Sequence, residues 1–530
     1  MTRLMKVLMI VNIELFLMVP TCIQSRSDGE VKTSDQYWAE TGLGATELES
    51  FLANDSCYAG QQTFLSCVNS INQMAEKYNL NLTLTDGLKE IEQKEIEDRG
   101  SEKKQLAAWL PLFDKQEVSS KISFLELWRQ LDQKFVKPTE RAAVVASGIN
   151  GFLSIYKDPH TYIMPLAMYE EVIASSESRN ANVGFVARRN QGAMVVRKVY
   201  DGSPAEAAGI HKGDHILAIN GEKISELLPS KVNDLLKMRS SNRIGLLVER
   251  QTQLGLEQKF IELMKTETTY PSVVSKVLEG SHRVGLVTIH KFSKNVCEMT
   301  KSQIQSLKEQ NIQGIMLDLR DNPGGQVEEA ACIVNLFVDK GTLLFETRYL
   351  DASKAPDHYV AEHEPIYKGP VAVLINSGSA SAAEIVAGAL KDQNRAKLIG
   401  EKSFGKGSFQ DGRIWGPNNK IALFQTEGLY YFPSGWTPQL VGLDPDIPVN
   451  FNTADNSREQ ELFFNPIAPT DSWAGPQSLS WLTEKECDMD ASLLSSQSLV
   501  NGVTEIDPQM KKAQAWLSCG GENHDRHGSL

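Results

Sequence analysis

The chain offers almost nothing for binding a metal. It has no C-x-x-C and no H-E-x-x-H pattern, so a zinc site has little support. Basic charge is also in short supply. Lys and Arg number 54 against 67 Asp and Glu, a net charge of −13. That balance argues against non-specific nucleic-acid binding, which needs a basic surface, and fits a role in solubility. Beyond the N-terminus no stretch approaches the roughly 18 apolar residues of a spanning helix. No internal repeat is evident. His160, His211, His215 and His290 fall in different parts of the chain, and none has an obvious acid partner nearby in sequence. A Ser-His-Asp triad is therefore disfavoured, although such triads assemble from distant residues.

What is present is an ordinary globular composition, 41% hydrophobic and 23% charged, over 530 residues. That length suits two to four domains. Arg3 and Lys6 precede an apolar run over residues 7–19, interrupted by Glu14, and then comes the segment PTCIQS. This is the layout of a secretory signal peptide over 1–25. A lipoprotein box around Cys22 is weakened by Thr21 just before the cysteine. If Cys22 leaves with the signal, six of the seven cysteines remain, an even number that suits an oxidising compartment. Cys57 with Cys67, and Cys487 with Cys519, are the expected disulfides. Cys297 and Cys332 fit either buried thiols or a third bridge.

Residues 35–175 read as an N-terminal helical region. Within it, 124–135 carries apolar residues at helical spacing, and 88–104 is a solvated stretch dense in Glu and Lys. From 272 to 450 strands and helices alternate. Strands are expected at 284–289, 314–320 and 371–375, and helices at 302–310, 327–338 and 382–390. This order argues an α/β core with βαβ crossovers. From 453 onward the chain is rich in Ser, Pro and Asp, and it is read as an ordered extension held by a disulfide.

Two segments in that core carry chemistry. NSGSASAAE (376–384) puts Ser381 at the start of a helix, just after a buried strand. There the helix dipole and free N–H groups stabilise developing negative charge, although a serine at such a spot is commonly only an N-cap. Ser377 and Ser379 are the fallback nucleophiles. GEKSFGKGSFQ (400–410) sets Lys406 between two glycines, with Phe404 and Phe409 as an apolar wall. A serine hydroxyl needs a neighbour to take its proton, and a desolvated lysine titrates low enough to do so. The pair suggests a Ser-Lys hydrolase. A third segment, DLRDNPGG (318–325), ends a buried strand in a glycine pair that can present N–H groups to an oxyanion. Asp318 and Arg320 are read as bracing the strand.

With these segments in view, the chain resembles the carboxyl-terminal processing (tail-specific) serine proteases that carry a PDZ domain. The resemblance spans roughly residues 122–449. Members place the nucleophile in an S-A-S-A-S-E-like segment, the lysine 25 residues later in F-G-K-G, and a glutamine four beyond. Ser381, Lys406 and Gln410 fit that spacing, and Ala383 departs from the second serine of many relatives. YKDPHTYIMP (156–165) resembles the element that precedes the PDZ domain in the family. GSPAEAAGIHKGDHILAING (202–221) matches the PDZ pattern, giving a PDZ β-barrel-like domain over 182–266. Its carboxylate-binding loop is expected at Val183, Gly184, Phe185 and Val186, where a peptide tail would add a strand to the sheet edge.

The resemblance implies a multidomain α+β protein: signal peptide, helical region, PDZ domain, α/β protease core over 267–452 and C-terminal extension over 453–530. It implies an exported endopeptidase, periplasmic, secreted or membrane-associated, that cuts protein substrates near their free C-termini and needs no cofactor. Ser381 and Lys406 would be catalytic, Gln410 would aim the amine, and Gly324 with Ala382 would form the oxyanion hole. The choice between Gly324 and Gly325 stays open, with Gly324 favoured. An adaptor protein is an open possibility among its partners. The rival functions are a catalytically silent PDZ scaffold for protein C-termini and a binding protein for an apolar ligand.

Overall fold

The computed structural model describes residues 34–51, 138–170, most of 184–264, 272–449 apart from 281, most of 497–524, and single positions near 66–74, 458–459 and 467–469. The 1–25 segment, the charged stretch 88–104, the 124–135 helix, Cys22, Cys57, Cys487 and Val183 lie outside the described residues.

The organising element is a six-stranded sheet in the order Ile447–Pro448, Lys397–Gly400, Val371–Ile375, Gly314–Asp318, Val284–Ile289, Val273–Leu278. Its inner pairs are parallel, and Val273–Leu278 closes one edge antiparallel. A parallel sheet is covered on both faces, so its strands read as unbroken apolar runs. The period of two then sorts each run between two cores. Val371, Val373 and Ile375 face the helices Val296–Glu309, Val327–Asn335 and Ala382–Asp392. Ala372 and Leu374 face the opposite way, onto Ala513 and Leu517 of the C-terminal helix Pro508–His524. Complete burial of Leu374 alone is worth about 2 kcal/mol.

The expected strands lie where the sequence put them, within two residues at their ends. Two helices differ: that expected at 327–338 ends at Asn335, and another begins at Val296, six residues before its expected start. The cause of the early start is remote in sequence. The Glu329 carboxylate accepts from the N–H groups of Asn295 (2.9 Å) and Cys297 (2.7 Å), satisfying donors that a helix start leaves open. Cys297 and Cys332 form a disulfide that ties this helix to Val327–Asn335. Cys67 is also disulfide-bonded.

A second, antiparallel sheet runs Tyr162–Pro165, Ile421–Tyr431, Leu343–Tyr349, Asp357–Val360, with Ser408–Trp415 also paired to Ile421–Tyr431. The region read as helical is therefore mixed. The helices Ser34–Thr41, Ala45–Phe51 and Pro138–Tyr156 are present, but its end contributes a strand to the sheet that holds the lysine segment. Four residues are too few to show a period, and cross-strand pairing decides their state.

A third sheet holds Phe185–Asn190, Ala193–Val199, His215–Ile219, Arg243–Thr252 and Gly255–Met264, with the short strand Glu222–Lys223 beside it, around its own apolar core. Phe185–Asn190 is an edge strand of that sheet. Ser203 caps the short helix that follows, accepting from Glu206 N–H at 3.0 Å. No described helix is long and apolar enough to cross a membrane.

Candidate active site

Ser381 ends the turn between the strand Val371–Ile375 and the helix Ala382–Asp392, with φ 60° and ψ −119°. Such backbone strain costs a non-glycine residue about 1–3 kcal/mol and persists only where its surroundings impose it. The surroundings here are a dense set of hydrogen bonds. Asn376 Oδ1 accepts from Gly378 N–H and Asp321 N–H, Ala380 N–H donates to Asn322 O at 2.9 Å, and Phe404 N–H donates to Ser379 O at 3.0 Å.

These bonds separate the three serines. Ser379 Oγ donates to Leu319 O at 2.8 Å and accepts from Asn376 N–H, so it is structural. Ser377 Oγ accepts from Arg197 Nη2 at 3.5 Å. Ser381 Oγ is fully buried and has no hydrogen-bond partner, so its hydroxyl does not cap the helix.

Lys406 is fully buried, as are Phe404 and Phe409 in its segment. Its Nζ donates to Ser408 O and to Gln410 Oε1, each at 2.9 Å. Burial pushes the amine down to about 8, while the carboxylates of Glu459, Asp158 and Glu384 pull it back up. A neutral amine has two hydrogens and one lone pair. The two acceptors match the two hydrogens and leave the lone pair available. Gly407 allows the segment to lie close to its neighbours: a β-carbon there would stand 2.8 Å from Gln439 N.

Glu384 joins the two segments. It is fully buried, and its carboxylate accepts from Ser381 N–H (2.9 Å), Lys406 N–H (2.8 Å), Gly405 N–H (2.8 Å) and Ser403 Oγ (2.5 Å). Burial raises its carboxyl to about 7, against the four donors, which pull it back toward the ionised form.

The glycine turn packs on the nucleophile turn. Gly324 has φ 102°, and a β-carbon there would stand 2.8 Å from Ala380 O and 2.9 Å from Ala382 N, so only glycine fits. Its N–H is engaged in this structure, donating to Asn322 Oδ1 at 2.8 Å. Arg320 holds Asp318 bidentately and extends to Asp507 (2.7 Å) and Gln509 (3.1 Å), bracing the strand end against the C-terminal helix.

Residues 283–449 match the model of peptidase family S41, and residues 171–249 match that of the PDZ domain. The carboxy-terminal processing protease CtpA of Bacillus subtilis is 28% identical over 327 residues, covering 60% of this chain and 68% of that protein. The chain thus joins a PDZ region to an S41 peptidase region, and it is similar to the carboxyl-terminal processing proteases. It is a serine-type peptidase with a PDZ domain joined to an S41 core. A chloroplastic carboxyl-terminal-processing peptidase 3 of Arabidopsis thaliana is also 28% identical, over 364 residues, covering 63% of this chain and 70% of that protein. Among solved structures, a photosystem II D1 C-terminal processing protease is 25% identical and covers 62% of this chain and 87% of that one, with a TM-score of 0.46.

In the peptidase, the sequence-expected residues Ser381, Lys406, Gln410, Gly324 and Ala382 fall into one buried cluster. The PDZ residues form a separate group. Gly184 has φ 88°, and Phe185 opens the edge strand with its ring in the PDZ core. The PDZ domain touches the nucleophile turn through Arg197 and Ser377, and the glycine turn through Lys212 and Asp321 at 3.7 Å.

Sequence reasoning missed Glu384, Asp158, Thr426 and the pair His160–Glu459. His160 has an acid partner after all, 299 residues away: its Nε2 lies 3.0 Å from Glu459 Oε1, both side chains buried. Burial, followed by the nearby Lys406 charge, drives His160 down to about 3, so the ring is neutral. The segment DPHT was the available signal for this group, but it does not say what its residues touch.

Proposed function

We propose that the peptidase is exported and cleaves protein substrates near their C-termini by a Ser-Lys mechanism, with the PDZ domain receiving the substrate tail. The observation that carries this reading is the match between donors and acceptors at Lys406. Both hydrogens of a neutral amine are used by Ser408 O and Gln410 Oε1, while Ser381, tied to the lysine segment through Glu384, keeps an unpaired Oγ that is not hydrogen-bonded to the amine in this structure.

In this mechanism Ser381 Oγ attacks the scissile carbonyl and its proton passes to Lys406 Nζ. The tetrahedral oxyanion is held by Ala382 N–H and by the glycine turn at Gly324. Collapse expels the amine, which takes the proton from Lys406 and leaves an acyl-enzyme on Ser381. Water then attacks the ester, giving its proton to Lys406, and collapse breaks the Ser381 Oγ–acyl bond as that proton returns to Oγ and the new carboxyl terminus leaves. Gln410 keeps the amine aimed throughout.

Ser381 and Lys406 are fully buried, so a substrate reaches them only after a rearrangement. The PDZ contacts on the nucleophile turn support a role for that domain in gating. The tail would enter beside the edge strand Phe185–Asn190, with the N–H groups of Gly184, Phe185 and Val186 around its carboxylate.

The test is mass spectrometry of the products from an unfolded protein, with wild type, Ser381→Ala and Lys406→Arg. Cleavage near the C-terminus by wild type alone is expected. A second reading makes His160, paired with Glu459, the base. Substantial activity in Lys406→Arg would exclude the lysine base and revive this reading, because arginine stays protonated at any workable pH.

A further inference from the structure

The structure assigns a positioning role to two residues outside the Ser-Lys-Gln set: we propose that Asp158, acting through the Thr426 hydroxyl, fixes the Gln410 amide and thereby aims Lys406. This rests on the reading of Lys406 as the base.

The argument starts from the amide. Gln410 presents an oxygen on one side and an NH2 group on the other, and only the oxygen can accept from Lys406. Lys406 Nζ donates to Oε1 at 2.9 Å. Gln410 Nε2 donates to Ser408 Oγ at 3.2 Å and to Thr426 Oγ1 at 3.1 Å. What keeps the amide from turning over is the direction of the Thr426 hydroxyl. That group has a single hydrogen, and it goes to Asp158 Oδ1 at 2.7 Å. Its oxygen is left to accept, so a donor must face it. A flipped amide would oppose oxygen to oxygen at Thr426 and NH2 to amine at Lys406.

Asp158 is itself held by several bonds. It is buried, its Oδ1 also accepts from His160 N–H at 2.9 Å, and its Oδ2 accepts from Thr161 Oγ1 at 2.5 Å. Thr161 Oγ1 in turn accepts from Thr426 N–H at 3.3 Å, clamping the Asp158–Thr161 turn to the strand Ile421–Tyr431. Gln410 and Thr426 are direct cross-strand partners, and the ladder shifts register between Phe409 and Gln410. Such a bulge re-aims a side chain, here toward Lys406. The chain Asp158–Thr426–Gln410–Lys406 thus runs from the turn before Tyr162–Pro165, through the paired strands Ile421–Tyr431 and Ser408–Trp415, to the lysine loop.

The charge of Asp158 has a second effect. Facing Lys406 are the carboxylates of Glu459, Asp158 and Glu384 and the neutral ring of His160. Asp158 favours the ammonium, so neutralising it lowers the pH at which the amine becomes a base.

The experiment measures kcat, KM and the pH profile of the full chain on an unfolded protein, for Thr426→Val, Thr426→Ser, Asp158→Asn and Lys406→Ala. Thr426→Val keeps the shape and removes the relay, and should lower kcat by about 10-fold or more with KM little changed. Thr426→Ser keeps the hydroxyl and should restore most of the rate. Asp158→Asn should move the rising limb of the pH profile to lower pH. Wild-type kcat in Thr426→Val, or equal losses in the Val and Ser variants with no shift of the limb in Asp158→Asn, overturns the proposal, provided Lys406→Ala is inactive. An active Lys406→Ala instead overturns the base assignment on which it rests. If Thr426→Val does not fold, Thr426→Ala takes its place, with the same loss of kcat expected and wild-type kcat overturning the proposal.

Discussion

Ser381 and Lys406 hang from one carboxylate: Glu384 accepts the amide proton of the first at 2.9 Å and of the second at 2.8 Å. The two residues lie 25 positions apart on separate segments, and neither side chain is used in this link. Glu384→Gln would place an NH2 group among four donors. Loss of charge-assisted bonds worth about 1.5–3 kcal/mol each should lower the melting temperature and the rate together. A variant with wild-type stability and activity would show that the two segments hold their places without this carboxylate.

Ser381→Ala should abolish cleavage and labelling by a fluorophosphonate probe. Its stability should stay within about 1 kcal/mol of wild type, because no hydrogen bond is lost with the hydroxyl. A folded Ser381→Ala protein that cleaves at the wild-type rate would remove Ser381 as nucleophile.

Activity should rise with pH through about 8, as Lys406 loses its proton. The sign follows from the direction of the shift: burial lowers the amine, and the base form gains as pH climbs through that value. Lys406→Ala should lose several orders of magnitude. A profile that is flat from pH 7 to 9 under substrate-limiting conditions would argue against a lysine base.

Deleting residues 182–266 and rejoining the ends with a flexible linker should change cleavage while sparing every catalytic candidate. If the domain only recruits tails, tailed proteins should be cut less and short peptides about as before. If its contacts at Ser377 and Asp321 hold the site shut, both should be cut faster. Arg197→Ala should then act in the same direction as the deletion. Unchanged rates on tailed and tail-less substrates would leave the domain as a spacer.

The Cys297–Cys332 bridge closes a separation of 35 residues. Replacing both cysteines by alanine should cost about 3–4 kcal/mol, read from denaturant unfolding with and without reductant. Equal midpoints for wild type and the double variant under oxidising conditions would show that the bridge adds nothing to stability.

Much of this peptidase was legible in its residues. The strands of the parallel sheet were plain because burial on both faces makes them continuous apolar runs. Ser381, Lys406 and Gln410 stood out because each sits in a short segment of distinctive composition at a fixed spacing. Glycines at 324 and 325 announced a turn that no side chain could enter. All of these signals are local.

Contacts at long range could not be read that way. Whether Ser377, Ser379 or Ser381 has the free hydroxyl depends on acceptors at Leu319 and a donor at Arg197. Glu384 as the common anchor, Asp158 behind Thr426 across 268 residues, and His160 against Glu459 exist only because a helix start, two loops, a pair of strands and a C-terminal stretch converge. A buried polar group must find its partner wherever the fold brings one, and sequence separation carries no penalty once the chain has folded. Composition and period report what each segment buries, while the tertiary structure alone decides which buried groups meet.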